Sequence, residues 1–313
     1  MAKTLTTVDL GDFRSSDSAT RARFVTAFGE GLAELGFVSV RGHGLPEGLL
    51  AETYAQVKAF FDLTTAEKEA CALPASEGNR GYVAFGKEHA KNRKVGDLKE
   101  FFHVGRDLPE LGESGKNAFP ETLPAFRETT TRLFGALDGV AASLLEALAI
   151  HFGEERTTFS RMADGGNSIL RLIHYPKLGE VYVPGAVRAA EHEDINLLTL
   201  LPESTASGLE ILTREGDWLA VETPPGHLVV DSGDMLERVT GGVVPSTTHR
   251  VVNPKRPEDD VARYSMPFFT HPRPDVVLEL VPFAKGRSDA KKAPPMTADQ
   301  FLRERLGQLG LGK

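Results

Sequence analysis

The chain has a single cysteine, Cys71, among 313 residues. No intrachain disulfide can form and no thiolate cluster is available, so any metal site must be built from His, Asp and Glu. Positive charge is also in deficit: 36 Lys and Arg stand against 44 Asp and Glu, for a net charge of −8. That balance argues against a nucleic-acid surface, which needs a basic face. One locally basic run, KEHAKNRKV (87–95), reads as a solvated loop. No stretch approaches the roughly 18 consecutive apolar residues of a membrane span, and the opening MAKTLTTVDLGDF has no apolar leader core. The expectation is a cytoplasmic protein without a membrane or nucleic-acid partner and with no obligate protein partner. Internal repeats and low-complexity linkers are missing as well. Hydrophobic residues at 41% and charged residues at 26% are ordinary for a globular chain and exclude disordered and fibrous classes.

The first half reads mainly helical. Residues 17–35 place Phe24, Phe28, Leu32 and Leu35 at helical spacing, with Gly36 where a C-terminal cap belongs. A short strand, FVSVRGHGLP (37–46), follows. Thr64 and Glu67 form a capping-box pattern, SEGNRGYVAFG (76–86) reads as a glycine-marked loop, and 121–152 carry Phe126, Leu133, Leu137, Val140, Leu144 and Leu148 on one stripe. From about residue 168 the segments become short, β-rich and broken by Gly, Pro and Asp, which suggests an antiparallel barrel or sandwich. Thr297 and Gln300 make a second capping box before a closing helix. The fold class is α+β, with helices flanking one β-core.

The segment AAEHEDINLLTLLP (189–202) opens an apolar run with His192, Glu193 and Asp194. On a strand, residues i and i+2 share a face, so His192 and Asp194 would converge while Glu193 points away. Such a pair implies a salt bridge, a general-base pair or a metal. His249, in STTHRVV, lies 55 positions beyond Asp194, also on an expected strand. Two imidazoles and one carboxylate make the facial triad that binds non-haem iron(II) and leaves coordination positions open. An H-x-D pair alone is ordinarily a surface ion pair; its weight comes from the later histidine.

Several motifs stand in one order: ELGFVSVRGHGLP, then NRGYVAFG with DLKEFFHVG, then HEDINLLTLLPES through to STTHRVVNP, then RYSMPFF. In that order they resemble the isopenicillin N synthase-like branch of the Fe(II)/2-oxoglutarate-dependent oxygenases over nearly the whole chain. The resemblance implies a double-stranded β-helix (jelly-roll) core at 166–285, a mainly helical region at 1–165 before it, and a C-terminal helix at 286–313. It implies iron(II) held by His192, Asp194 and His249. Arg263 and Ser265 would take the distal carboxylate of 2-oxoglutarate, with Tyr175 assisting. The physics agrees, since Arg263 and Ser265 face one way on a strand and offer a guanidinium fork and a hydroxyl. The implied reaction consumes O2 and 2-oxoglutarate, releases succinate and CO2 and oxidises, by default hydroxylates, a small molecule, with ascorbate as an auxiliary reductant. Two departures from the pattern stand out: Ile173 replaces an asparagine, and NPKRPEDDVA makes a longer turn before Arg263.

Arg171 alternates with Ile173 and Tyr175, and is expected to face inward. A buried guanidinium needs a carboxylate partner, either from the protein or from an acidic substrate group. Glu193 and His174 should face away from the metal. His43, His89, His103, His151, His227 and His271 have no ligand spacing; Trp218 reads as hairpin packing, and Gly233–Asp234 as a turn. Two rival functions remain: an iron oxidase of the same family that uses no 2-oxoglutarate, and a non-catalytic β-barrel binding protein.

Overall fold

Thirteen strands fall into two sheets in the computed structural model, which describes residues 4–76, 78–88, 96–109, 112, 115–181 and 183–308. In chain order they are β1 (Thr6–Asp9), β2 (Phe37–Arg41), β3 (Gly81–Val83), β4 (Glu100–Gly105), β5 (Ile169–Tyr175), β6 (Ala189–His192) and β7 (Leu198–Pro202). There follow β8 (Leu209–Leu212), β9 (Trp218–Ala220), β10 (Leu228–Ser232), β11 (His249–Val251), β12 (Arg263–Ser265) and β13 (Phe268–Thr270). The larger sheet runs β1-β2-β10-β7-β13-β5-β4-β3 with β12 also beside β5, and the smaller runs β6-β11-β8-β9. From β6 to β12 the chain passes back and forth between the sheets, and residues of both line one cavity. This is the expected double-stranded β-helix.

The first half is less purely helical than its sequence suggests. β1 to β4 all join the larger sheet, and β3 lies inside the segment expected to be loop. Three residues paired against β4 are too short for period-two alternation to register in sequence. The helices themselves form where expected. Asp17 caps Ser18–Leu35 by accepting from Ala19 and Thr20 N–H, and Gly36, at φ 73°, closes it in the left-handed region. Both capping boxes are present, at Thr64/Glu67 and Thr297/Gln300.

The 28-residue helix Pro124–His151 is long and apolar enough to cross a membrane by length and composition. Here its apolar stripe faces protein: Phe126, Leu133, Leu137, Val140, Leu144 and Leu148 are all buried in the main core cluster. Burying each such side chain contributes about 1.5–3 kcal/mol, which holds the helix against the outer face of the larger sheet through β4, β5, β7 and β13. The inner face is thereby left for the cavity. The NPKRPEDDVA turn contains only the short 3-10 segment Pro257–Asp259, which includes no buried residue, so the added length sits at the surface.

Candidate metal centre

His192 ends β6 and His249 begins β11, and the two are register partners with ring centroids 4.3 Å apart. Asp194 lies two residues beyond the strand, in irregular backbone, so the expected strand alternation is not what aligns it with His192. Local ties aim the carboxylate instead. The Thr199 hydroxyl on β7 donates to its Oδ2, and the Asp234 N–H donates to its backbone carbonyl at 2.8 Å. Gly233 passes so close that a Cβ there would sit 2.7 Å from the same carbonyl. The Asp194 Oδ1 then lies 3.9 Å from Nε2 of each histidine, too far for a hydrogen bond. One ligand atom from each of the three residues falls within 4.8 Å of the other two.

The protonation pattern suits a cation. His192 Nδ1 contacts the Ala190 carbonyl at 2.7 Å, and His249 Nδ1 the Thr247 carbonyl at 3.2 Å. A carbonyl only accepts, so each Nδ1 carries the hydrogen and each Nε2 presents a lone pair. Desolvation, and then the neighbouring His249, push His192 down to about 4, which keeps its ring neutral. Phe37 meets the His249 ring edge-on at 5.7 Å. Two imidazoles and a carboxylate, with ligand atoms gathered at one point, fit iron(II). Glu193 accepts from the Thr248 hydroxyl and lines a cavity beside His192 and Asp194.

A cavity between the sheets joins this triad to Arg263, Ser265 and Tyr175. β12 and β5 are neighbours in register, Arg263 opposite Tyr175 and Ser265 opposite Ile173, so alternate side chains enter together. Arg263 is only 2% exposed. Its Nε donates to the Ala206 carbonyl at 2.9 Å and one terminal nitrogen donates to Ser204 Oγ at 3.1 Å. The other, Nη1, is buried without an acceptor among the described residues. A buried charged donor left unmet costs a kcal/mol or more, so this wall fits a carboxylate. Ile173, also on the wall, offers no polar group.

Arg171 lines this cavity and a second one, which also includes His192, Asp194, Glu88, His271 and Leu302. Its expected inward direction holds, but the guanidinium does have a partner in the protein. Nη1 meets Glu88 at 3.2 Å, Nε donates to His103 Nε2 at 2.6 Å, and Phe101 and Phe269 lie over it at 4.4 and 5.2 Å. Glu88 also holds Lys99 at 2.6 Å. Burial would raise the Glu88 carboxyl; Arg171 and Lys99 outweigh it and hold it below the usual range. Glu88 belongs to the run expected to be a solvated loop, and is turned inward; residues 89–95, His89 included, lie outside the described residues.

Reasoning from sequence missed Glu88, Lys99, His103, Thr199, Asp231 and His271 as cavity or support residues. Lys99 had a usable signal, since it alternates with Phe101 and His103, which pair with Ile173 and Arg171. Asp231 had none: it faces Asp194, and burial and that neighbour raise its carboxyl far above the ordinary range. The remaining side chains behave as expected. His174 contacts Glu100 at 2.8 Å and stacks on Tyr264, and Trp218 packs under Arg250.

Two family models match the chain. The N-terminal region of the non-haem dioxygenase in morphine synthesis matches residues 5–124, and the 2OG-Fe(II) oxygenase superfamily matches residues 166–272. A 2-oxoglutarate-Fe(II) type oxidoreductase of Emericella nidulans is 30% identical over 309 residues, covering 95% of this chain and 87% of that protein. Among solved structures, Neurospora crassa T7H in complex with alpha-KG superposes with a TM-score of 0.86 at 28% identity, over 96% of this chain and 95% of that one. A 2OG-Fe(II) oxygenase family protein from Caulobacter crescentus gives 0.84 at 38% identity, over 96% and 98%. These likenesses favour 2-oxoglutarate-dependent chemistry over the oxidase and binding-protein alternatives. The chain belongs to the Fe(II)/2-oxoglutarate-dependent oxygenases and is a dioxygenase that uses iron(II), 2-oxoglutarate and O2.

Proposed function

We propose that His192, Asp194 and His249 hold the iron, that Arg263, Ser265 and Tyr175 hold the distal carboxylate of 2-oxoglutarate, and that a small-molecule substrate occupies the second cavity beside Arg171. The observation that carries the reading is the pairing of two features on one cavity wall. Three lone pairs converge at one place, and the buried Arg263 Nη1 faces no acceptor. When bound, iron(II) with 2-oxoglutarate supplies O2 activation, with succinate and CO2 as products and oxidation, by default hydroxylation, of the substrate.

The chain's own residues bind and orient. The Ala190 and Thr247 carbonyls fix the histidine tautomers, and Thr199 fixes the Asp194 carboxylate through its second oxygen. Arg263 offers a charge-assisted donor to the far carboxylate, and Ser265 adds a hydroxyl. The two cavities share His192, Asp194, Arg171 and Phe269, so substrate and cosubstrate meet at the metal side from different directions. Because Glu88 already neutralises Arg171, the substrate group beside Arg171 is a neutral hydrogen-bond acceptor rather than a carboxylate. T7H has been solved with thymine and with 5-formyluracil, which supports a compact, uncharged substrate.

The test is metal stoichiometry and succinate release in His192→Ala, Asp194→Ala and His249→Ala, each checked for folding. Each variant is expected to lose iron and turnover while keeping its fold. A variant with full iron and full turnover removes that residue from the triad.

A further inference from the structure

Lys99 is a cation inside the cavity with more donors than partners. Its side chain is 5% exposed, and it lines the same wall as Tyr175, Ile173 and His192. An ammonium carries three N–H donors. One goes to Glu88 Oε1 at 2.6 Å and one to Asp97 Oδ2 at 2.9 Å; no third acceptor stands among the described residues. Burial opposes its charge, and the two carboxylates outweigh burial, so it stays protonated. Lys99 shares this cavity with Arg263 and Tyr175 as well as with the triad.

The other cations on this wall are already committed. Arg263 is assigned above to the distal carboxylate with Ser265, and Arg171 is held by His103 and Glu88. The 2-oxo-acid end carries a second negative charge, and beside it Ile173 offers no donor. We propose that Lys99 is a binding residue for the 2-oxo-acid end of the cosubstrate, donating its third N–H to the carboxylate next to the keto group. The inference rests on the cosubstrate assignment above. Asp97 and Glu88 act as positioning residues. They hold the ammonium in place, and Asp97 ties it to the His192 strand by accepting from Ala190 N–H at 3.3 Å.

Removing Lys99 alone would leave two buried carboxylates facing each other, so the test uses Lys99→Met with Asp97→Asn, against Asp97→Asn alone. This pairing removes one charge of each sign and keeps Glu88 with Arg171. Binding of 2-oxoglutarate is measured by calorimetry on zinc-loaded protein, which performs no turnover, together with zinc affinity and the unfolding midpoint. Losing one charged hydrogen bond to a carboxylate weakens binding by about tenfold to a hundredfold. The expected result is that loss in the double variant, with zinc affinity matching the control. Should the double variant not fold, Lys99→Gln with Asp97→Asn, which keeps an amide donor for Glu88 but lacks the charge, is read against the same control. An affinity for 2-oxoglutarate within twofold of the control overturns the role of Lys99. If the wild type itself binds no 2-oxoglutarate, the cosubstrate assignment falls first, and this inference with it.

Discussion

Arg263 and Thr199 show how differently two buried residues can serve one cavity. Arg263 has a donor without an acceptor, so its contribution appears only when a carboxylate arrives. Arg263→Leu is expected to raise the 2-oxoglutarate concentration needed for half-maximal succinate release, with iron retention unchanged. Truncating one partner of a buried charged pair costs about 2–5 kcal/mol. An unaltered 2-oxoglutarate requirement would remove Arg263 from the cosubstrate site. Thr199 touches no ligand of its own; its hydroxyl holds the second oxygen of Asp194. Thr199→Val keeps the shape and removes the donor, and loss of such outer support lowers metal affinity by about 10- to 100-fold. Competition with a metal-binding dye measures it, and wild-type affinity would mean that Asp194 is aimed by its backbone ties alone.

At the scale of elements, the end of the first long helix and the strand of the last ligand are clamped together. Gly36 caps the helix Ser18–Leu35 at φ 73°, and a Cβ there would sit 2.5 Å from Thr247 Oγ1 and 2.7 Å from the Pro245 carbonyl. The Thr247 hydroxyl in turn donates to the Leu35 carbonyl at 2.8 Å, and His249 is two residues further on. Gly36→Ala therefore meets both a left-handed backbone, worth about 1–2 kcal/mol, and a clash that pushes on the segment bearing His249. The expected outcome is a lower unfolding midpoint together with weaker iron retention. A variant that lost stability but kept wild-type metal affinity would show that the clamp holds the fold without positioning the ligand. Gly36 was legible in sequence as a helix cap, from its place after an apolar stripe. Its closeness to Thr247 was not, because the two are joined only by the packing of distant segments.

Across the whole molecule, buried titratable groups set how the fold responds to acid. Desolvation pushes His271 down to about 4, while an unfolded histidine titrates near 6.5. Between those values the unfolded chain binds a proton that the folded chain refuses, so stability falls as pH drops from about 6.5 to 4. For His271 the loss is on the order of 3 kcal/mol, and His192, also held to about 4, adds to it in metal-free protein. Glu88 acts in a lower window: its folded carboxyl is held below its unfolded value, so its contribution is present above about 4.3 and is lost below it. Denaturant titrations of metal-free protein at pH 7, 5.5 and 4.5 should show this decline, and His271→Gln should flatten part of it between pH 6.5 and 4.5. A His271→Gln variant with the wild-type slope would mean that the ring is charged in the folded protein.

The order of residue types along the chain determined the helices, the capping boxes and the β-rich second half, because each of these signals is local; the proposed set His192, Asp194, His249, Arg263, Ser265 and Tyr175 was legible only through the order of several motifs that resemble the family. Periodicity and caps depend on neighbours a few positions apart, whereas an H-x-D pair takes its meaning from a distant third residue. Tertiary structure alone decided what surrounds them. Asp194 is aimed by Thr199 and Asp234 and not by strand alternation, since β6 ends two residues before it. Arg171 found Glu88, 83 positions away, and that one carboxylate oxygen also holds Lys99. Such partners cannot be read locally. A buried charge takes whichever opposite charge the packing brings near, and which one arrives is settled only when the two sheets close over the cavity.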